Sequence, residues 1–457
     1  MLDRIARRLE SLKVEKSDLL IVAFSGGPDS TALLHSLIEL GYEVVAAHLN
    51  HGMRPEAPRE ADFLRDRCDD LGIPFYVGNA NVPLAAKELK IGVEEAGRRA
   101  RYDFLQRLQR HLGASYIATG HTKDDHVETV FLNIVRGTGL DGLRGIPAIR
   151  DGIIRPLLDV TRNETQAFCT TLGVHTLSDP GNDNVDFSRV RVRQRVIPEL
   201  QMINPSLFDA VVRLSEVVRQ EVEFLDGVAA RALDETEVHV NGSLSFLTRD
   251  TEVNLNRVKL AQWPAPVVSR AVQLVCRSMG SPLDHQQLQA ITDSVLNADC
   301  VSMTSEGGQV TVTVSFEGVH ITDGTQPEAF RQQLEVPGAV DSLEFRWTIA
   351  TEPGRWSQVE RNSLEVFVDA SRLRAPVHFR NLEPGDRIVP MGFDKHRKVA
   401  DLLSEAGLTL AARRRLPIIC DMIEPIWVPG VCFSQRVAAT ALTANPIRMV
   451  FGPLERP

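Results

Sequence analysis

Six residues, Ser25-Gly26-Gly27-Pro28-Asp29-Ser30, lie between an apolar run, Leu20 to Phe24, and a helical pattern. That pattern carries Leu33, Leu34, Leu37 and Ile38 on one face, and Gly41 is placed to stop it. Strand, glycine turn and helix start together bind phosphate: glycine lets the backbone approach an anion, and free amides at a helix N-terminus point at it. Ser25 and Ser30 add hydroxyl donors. The Gly-Lys pair of a Walker A loop occurs nowhere in the chain. Counter-charge for phosphate must then come from a metal or from other side chains. Asp29 alone would repel phosphate, and it makes sense if it helps to hold Mg²⁺. A helix N-cap after a tight turn is the plainer reading of the same residues.

Further chemistry-bearing groups fall at other strand ends. Residues 118–129 read ATGHTKDDHVET. Thr122 and Asp125 fit a capping box, which leaves Glu128 unused on the same helix face as Asp125. Two carboxylates at a strand-end mouth suit Mg²⁺ or a cationic amine. Arg98 and Arg101 share a helix face and could supply the counter-charge that the loop lacks; the plainer reading is a salt-bridged helix face. The cluster HLNHGMR at 48–54 has no third ligand at a metal spacing, so a polar turn is its plainer reading. Arg189, Arg191, Arg193 and Arg195 alternate as a strand with one basic face would, and a helix start is the other reading. Either geometry gives a basic strip suited to RNA phosphates, or a solvated face with no partner.

These residues need elements to hold them, and the order of patterns supplies them. Strands are expected at 20–24, 44–49, 74–77 and 115–119, alternating with helices at 60–71, 94–112 and 124–136. Such alternation predicts an α/β fold, a doubly wound parallel sheet covered on both faces, with ligands at the carboxyl ends of the strands. Met1–Lys16 reads as a surface helix, and 136–145 as a flexible glycine-dense loop. Domain bounds are expected at 1–204, at 205–325 (a linker helix and an α+β part) and at 340–457, the latter two being smaller C-terminal domains.

Of 457 residues 43% are hydrophobic and 24% charged, ordinary for a globular protein, and no apolar run approaches the roughly 18–20 residues that span a bilayer. Six scattered cysteines without a C-x-x-C pair argue against structural zinc and a secreted disulfide scaffold, and point to a cytoplasmic location. The net charge of −9 argues against nucleic acid, yet residues 370–415 hold ten Lys or Arg against five Asp or Glu. Local sign matters more than the sum.

The loop resembles the S-G-G-x-D-S motif of N-type ATP pyrophosphatases (PP-loop enzymes), and His48-x-Asn50-His51-Gly52-x-Arg54 is similar to their tRNA(Ile)-lysidine synthetase branch. Further matches are the segment around Arg98, Arg101 and Tyr102, the glycine-dense 136–145, Ile154–Leu158, and Arg380 to Gly392 near the C-terminus. The resemblance implies a ligase that adenylates the wobble cytidine of a CAU-anticodon tRNA(Ile) with ATP and Mg²⁺. L-lysine then displaces AMP to give lysidine. It implies ATP contacts at residues 25–30, His48, Asn50, Gly120 and His121, and metal at Asp29 and Asp125. Asp125 and Glu128 would orient lysine or metal, and Arg98 and Arg101 would stabilise adenylate transfer. Arg189, Arg193, Arg380, Lys395, Arg397 and Lys398 would hold tRNA. A homodimer is compatible with this reading. Two alternatives stand beside it: a PP-loop tRNA thiolase, which would need Cys68 and Cys169 to meet, and a non-catalytic, nucleotide-gated RNA-binding protein.

Overall fold

The computed structural model describes residues 1–52, 57–177, 188–324 and 327–454. Arg54, the segment Ser178-Asp179-Pro180 and Gln326 of the expected linker lie outside the described residues. Two compact units divide the chain, Met1–Glu223 and Phe224–Pro457.

The first unit is built on six strands: β1 (Leu19–Ala23), β2 (Glu43–Asn50), β3 (Phe75–Asn79), β4 (Tyr116–Ala118), β5 (Ile149–Arg150) and β6 (Ile153–Ile154). Their order is β3-β2-β1-β4-β6-β5, and all neighbours are parallel except the β5–β6 hairpin at one edge. That hairpin turns on Asp151-Gly152, both at positive φ, which suits a two-residue turn between antiparallel strands. Helices α1 (Leu2–Ser11), α2 (Pro28–Glu39), α3 (Ala57–Asp70), α4 (Val82–Leu89), α5 (Val93–Leu112), α6 (Lys123–Val135), α7 (Leu140–Leu143) and α8 (Arg162–Thr171) connect and cover the strands.

Period-two alternation sorts the strands' side chains. Leu20, Val22, Val44 and Ala46 pack with Ile5, Leu9, Leu33, Leu34, Leu37 and Leu64. Ile21, Val45, Ala47 and Ile117 pack with Leu105 and Leu108 of α5. Leu33, Leu34 and Leu37 are wholly buried, each contributing about 2 kcal/mol of transfer free energy. The doubly wound sheet expected from the sequence is thus the observed one. Because β1 is flanked by β2 on one side and β4 on the other, the chain reverses direction of winding between β1 and β4. A crevice at the carboxyl ends of those two strands follows. The loop at 25–30 and the segment Gly120-His121 open into it.

After α8 the chain forms α9 (Ser188–Arg191), a π turn (Val192–Val196), α10 (Ile197–Ile203) and the 30-residue α11 (Leu207–Thr236), within which the unit boundary falls. Of the two readings of 189–195, the helical one is observed, with Val190 and Val192 buried. The glycine-dense 136–145 is not purely a loop, since α7 forms there and Asn133 Nδ2 donates to Gly142 O at 2.9 Å.

The second unit holds a four-stranded antiparallel sheet, in spatial order Glu252–Asn256, Gly318–Thr322, Thr311–Val314, Val301–Thr304, with helices Ala265–Ser278 and His285–Asn297. Two further antiparallel sheets, of five and four strands, share a core around Trp347, Trp427, Phe379 and Phe451. Among the described residues no helix is long and apolar enough to cross a membrane.

Candidate active site

The phosphate-type loop is held open by its own backbone and hydroxyls. Gly26 has φ +77°, and a Cβ there would lie 2.7 Å from Leu64 Cδ2 and 2.8 Å from Leu177 Cδ1, so both conformation and space require glycine. Leu177 N donates to Gly26 O at 2.8 Å. Ser30 Oγ accepts from Ser25 N at 3.2 Å and sits 3.1 Å from Ser25 Oγ. Gly27 caps α2, with Pro28 in its first turn, and no side chain takes the cap's free amides. Gly120, beyond β4, comes so close to the loop that a Cβ would be 3.1 Å from Asp29 C and Ser30 N.

Asp29 receives Thr165 Oγ1 at 2.5 Å and lies 3.6 Å from Arg162 Nε. Burial nevertheless holds its carboxyl above the usual range, against the pull of that hydroxyl and of Arg162. Magnesium takes one or two carboxylates, substrate phosphates and several waters. A desolvated aspartate whose Oδ2, among the described residues, pairs only with the guanidinium of Arg162 at 3.6 Å fits that demand. No group of three or more His, Cys, Asp or Glu side chains that could hold a metal occurs among the described residues.

Asp125 and Glu128 stand on α6, which opens with the expected capping box: Thr122 N donates to Asp125 Oδ2 at 2.8 Å. Glu128 is 1% exposed, and a charge at that depth persists only if paired. Arg193 meets it with two N–H groups, Nε at 2.6 Å and Nη2 at 3.0 Å. Arg189 Nε reaches it at 2.9 Å and Arg162 Nη1 at 3.3 Å. Asp125 Oδ1 accepts from Arg162 Nη2 at 3.1 Å and Arg189 Nη2 at 3.2 Å. Burial opposes the charge on Asp125, but Arg189 and Arg162 hold its carboxyl below the usual range. Arg189 and Arg193 are therefore turned onto the carboxylates in this structure.

Arg162 is the residue that sequence reasoning missed. It touches Asp29, Asp125 and Glu128, and its amide donates to Asp124 Oδ2 at 2.9 Å. A signal existed: Thr161-x-x-Glu164 is a capping-box sequence, and the structure forms that box, which places Arg162 in the first turn of α8.

The remaining expected residues gather around the crevice mouth. His48 Nδ1 donates to Phe24 O at 3.0 Å, with its pKa lowered by burial, and the charge of Arg101 reaches it. Asn50 Oδ1 accepts from Gly52 N at 2.9 Å, so its side chain shapes the turn after β2. His121 pairs with Thr119 Oγ1 at 2.9 Å. Burial pushes the His121 imidazole down to about 4, and Asp125, Arg155, Arg189 and Arg98 all act on it. Arg98 is exposed and lies over the Tyr102 ring at 4.9 Å.

His126 packs beneath Gly145, where a Cβ would be 2.3 Å from its ring. Its Nδ1 accepts the Ile146 amide at 3.2 Å, and burial pushes its pKa down to about 4. Because the folded value lies below the unfolded one, this group's stabilisation is present above about pH 6.5 and is lost as pH falls toward 4. Acid melts between those values should show a loss on the order of 3 kcal/mol that His126→Gln removes. An unchanged pH profile in that variant would refute the assignment.

In the second unit Arg380 is 8% exposed and grips Asp386 through two 2.8 Å bonds, closing the turn from Asn381 to Asp386. That guanidinium faces inward, while Lys395 and Lys398 are exposed and Arg397 pairs with Glu405. Phe393 lies among these cations, 4.4 Å from Arg361 and 5.9 Å from Arg397.

A PP-loop domain family matches residues 1–200, and a TilS substrate C-terminal domain family matches residues 377–448. A tRNA(Ile)-lysidine synthase of Symbiobacterium thermophilum is 31% identical over 458 residues, covering 95% of this chain and 94% of that one. A protein of the same name from Porphyromonas gingivalis is 30% identical, covering 98% and 97%. A solved tRNA thiolase of Methanococcus maripaludis is 18% identical with a TM-score of 0.42, covering 48% of this chain and 78% of that one.

Proposed function

The chain belongs to the tRNA(Ile)-lysidine synthase family of ATP-dependent ligases, and we propose that it joins L-lysine to C2 of the wobble cytidine of a CAU-anticodon tRNA(Ile). The cytidine C2 oxygen attacks the α-phosphorus of ATP, and the bond to the β-phosphate breaks to release pyrophosphate. The lysine amine then attacks C2, loses a proton, and AMP departs with the C2 oxygen.

The observation that carries this reading is a polar carboxylate pair, Asp125 and Glu128, tied through Arg162 to Asp29 of a phosphate-type loop. On this reading the amine site and the nucleotide site are joined through the ion pairs of one guanidinium, that of Arg162. The amides of Gly26 to Ser30 and the hydroxyls of Ser25 and Ser30 cradle pyrophosphate. His48, Asn50, Gly120 and His121 line the nucleoside. Arg98 and Arg101 offset charge on the transferring phosphoryl group. Mg²⁺, when bound, would neutralise phosphate charge beside Asp29, whereas Asp125, the other expected ligand, has both oxygens taken by Thr122, Arg162 and Arg189 in this structure. Asp125 and Glu128 receive the lysine ammonium. Arg189 and Arg193 meet anticodon-arm phosphates, and Lys395, Arg397 and Lys398 with the neighbouring Arg380 turn meet tRNA elsewhere.

Neither thiol invoked by a thiolase reading is suited to attack. Cys68 is buried with its pKa pushed up to about 12, and Cys169 is buried with its pKa raised also by burial. Free, mostly buried cysteines suit a reducing cytoplasm.

The test is pyrophosphate release from ATP with each of the twenty amino acids, with and without the CAU-anticodon tRNA. Release requiring both lysine and this tRNA, with labelled lysine entering RNA, is expected. Release indifferent to lysine would sink the ligase reading, and tRNA binding without release would leave only a binding protein. Separately, Lys395→Ala and Lys398→Ala should each raise KM for tRNA with kcat little changed. Each should also flatten the salt dependence of binding by about one phosphate contact. An unaltered salt slope would remove those lysines from the interface.

A further inference from the structure

The amine site is already full. Glu128 Oε1 holds Arg193 Nε and Arg162 Nη1, and Oε2 holds Arg189 Nε and Arg193 Nη2. Asp125 Oδ1 holds Arg162 Nη2 and Arg189 Nη2, and Oδ2 holds the amide and hydroxyl of Thr122. Each of the four oxygens has two donors, which is the capacity of a carboxylate. An incoming ammonium has nowhere to bind until a guanidinium leaves.

The three guanidiniums are not equally free to leave. Arg162 is anchored by the Thr161–Glu164 capping box, by its amide on Asp124 and by its approach to Asp29. Arg189 and Arg193 touch only Asp125 and Glu128 in the described ion pairs, and their side chains are 32% and 27% exposed. They are four residues apart on α9 and the π turn, so one helix face carries both. A π turn, as at Val192–Val196, is rare and is found frequently at functional sites. Phosphodiesters offer a guanidinium the same bidentate geometry that carboxylates do.

We infer that Arg189 and Arg193 are gating residues: they occupy the amine site in the free enzyme and vacate it when RNA phosphates draw them off, so that lysine binds after tRNA. This rests on the reading of Asp125 and Glu128 as the lysine site. The order has a chemical use. The nucleophile is admitted only once the base it must attack is in place. Coupling of this kind is reciprocal, so lysine should tighten RNA binding by the factor by which RNA tightens lysine binding.

Equilibrium dialysis of radiolabelled L-lysine against the full chain tests this, with a non-hydrolysable ATP analogue present to stop turnover. The arms are no RNA and saturating CAU-anticodon tRNA, for the parent, Arg193→Gln, Arg189→Gln and Glu128→Gln. The parent should bind lysine at least tenfold more tightly with tRNA. Arg193→Gln and Arg189→Gln should gain at least tenfold without RNA and show little further gain with it. Arg193→Lys, which keeps the charge but not the fork, should fall between, and it serves if a glutamine variant fails to fold. Equal lysine affinity with and without tRNA in the parent, or glutamine variants that bind RNA-free lysine no better than the parent, overturns the gate while leaving the amine site standing. Lysine that binds in neither arm, or that binds Glu128→Gln as well as the parent, overturns the amine site itself and the gate with it.

Discussion

Asp29→Ala is expected to lower pyrophosphate release by two to three orders of magnitude while leaving the melting temperature unchanged or slightly raised. The activity loss follows from position: Asp29 is the carboxylate within the phosphate-type loop, and on the proposed reading it is the group that would hold Mg²⁺ against the phosphates. Losing one preorganised charge-stabilising element at a reacting phosphoryl group costs about 10²–10³ in rate. The stability result follows from cost. Burial holds the Asp29 carboxyl above its usual range, so its ionised form is a net expense to the fold. Removing a group kept for function at the expense of stability tends to stabilise. Release within threefold of the parent would remove Asp29 from the chemistry. A large drop in melting temperature would show that the residue is structural instead.

Arg162→Met should destabilise the first unit by about 3 kcal/mol at neutral pH, and the deficit should shrink in acid. Among the described residues Arg162 is the one cation in contact with Asp29, Asp125 and Glu128 together, and its own pKa is raised by those carboxylates in spite of burial. Taking one partner from a buried ionic cluster leaves uncompensated charge, and such losses run to about 3–5 kcal/mol. Asp125 titrates below its usual range in the parent, so its contribution is present above about pH 4 and is lost below that. Without Arg162 the carboxyls of Asp125 and Asp29 ionise less readily. The variant's deficit is then greatest near pH 7 and narrows toward about pH 4–5 as protons replace the missing cation. Urea melts of both proteins across that range check this. A deficit independent of pH would show that the loss comes from packing of the arginine stem rather than from its charge.

Much of the site was legible as local pattern. The loop at 25–30 was readable because an apolar run, two glycines and a helical stripe leave few alternatives. The Thr122–Asp125 box was readable because capping uses residues three apart. A parallel sheet was inferable from strand–helix alternation, since parallel strands need crossovers, but its strand order came only from the fold. What escaped was pairing across long separations. Arg162 meets Glu128 from 34 residues away, and Arg193 meets it from 65. Arg380 looked like a surface cation until Asp386 was seen to fold back onto it. A basic residue's type says nothing about whether its partner is phosphate or carboxylate.

The sequence by itself determined the elements, the phosphate-type loop and the kinds of charge available, because short-range spacing sets helix faces, strand faces and caps. Only the tertiary structure decided which charges meet. In a buried setting each carboxylate must find cations wherever the fold brings them, and Glu128, at 1% exposure, found three.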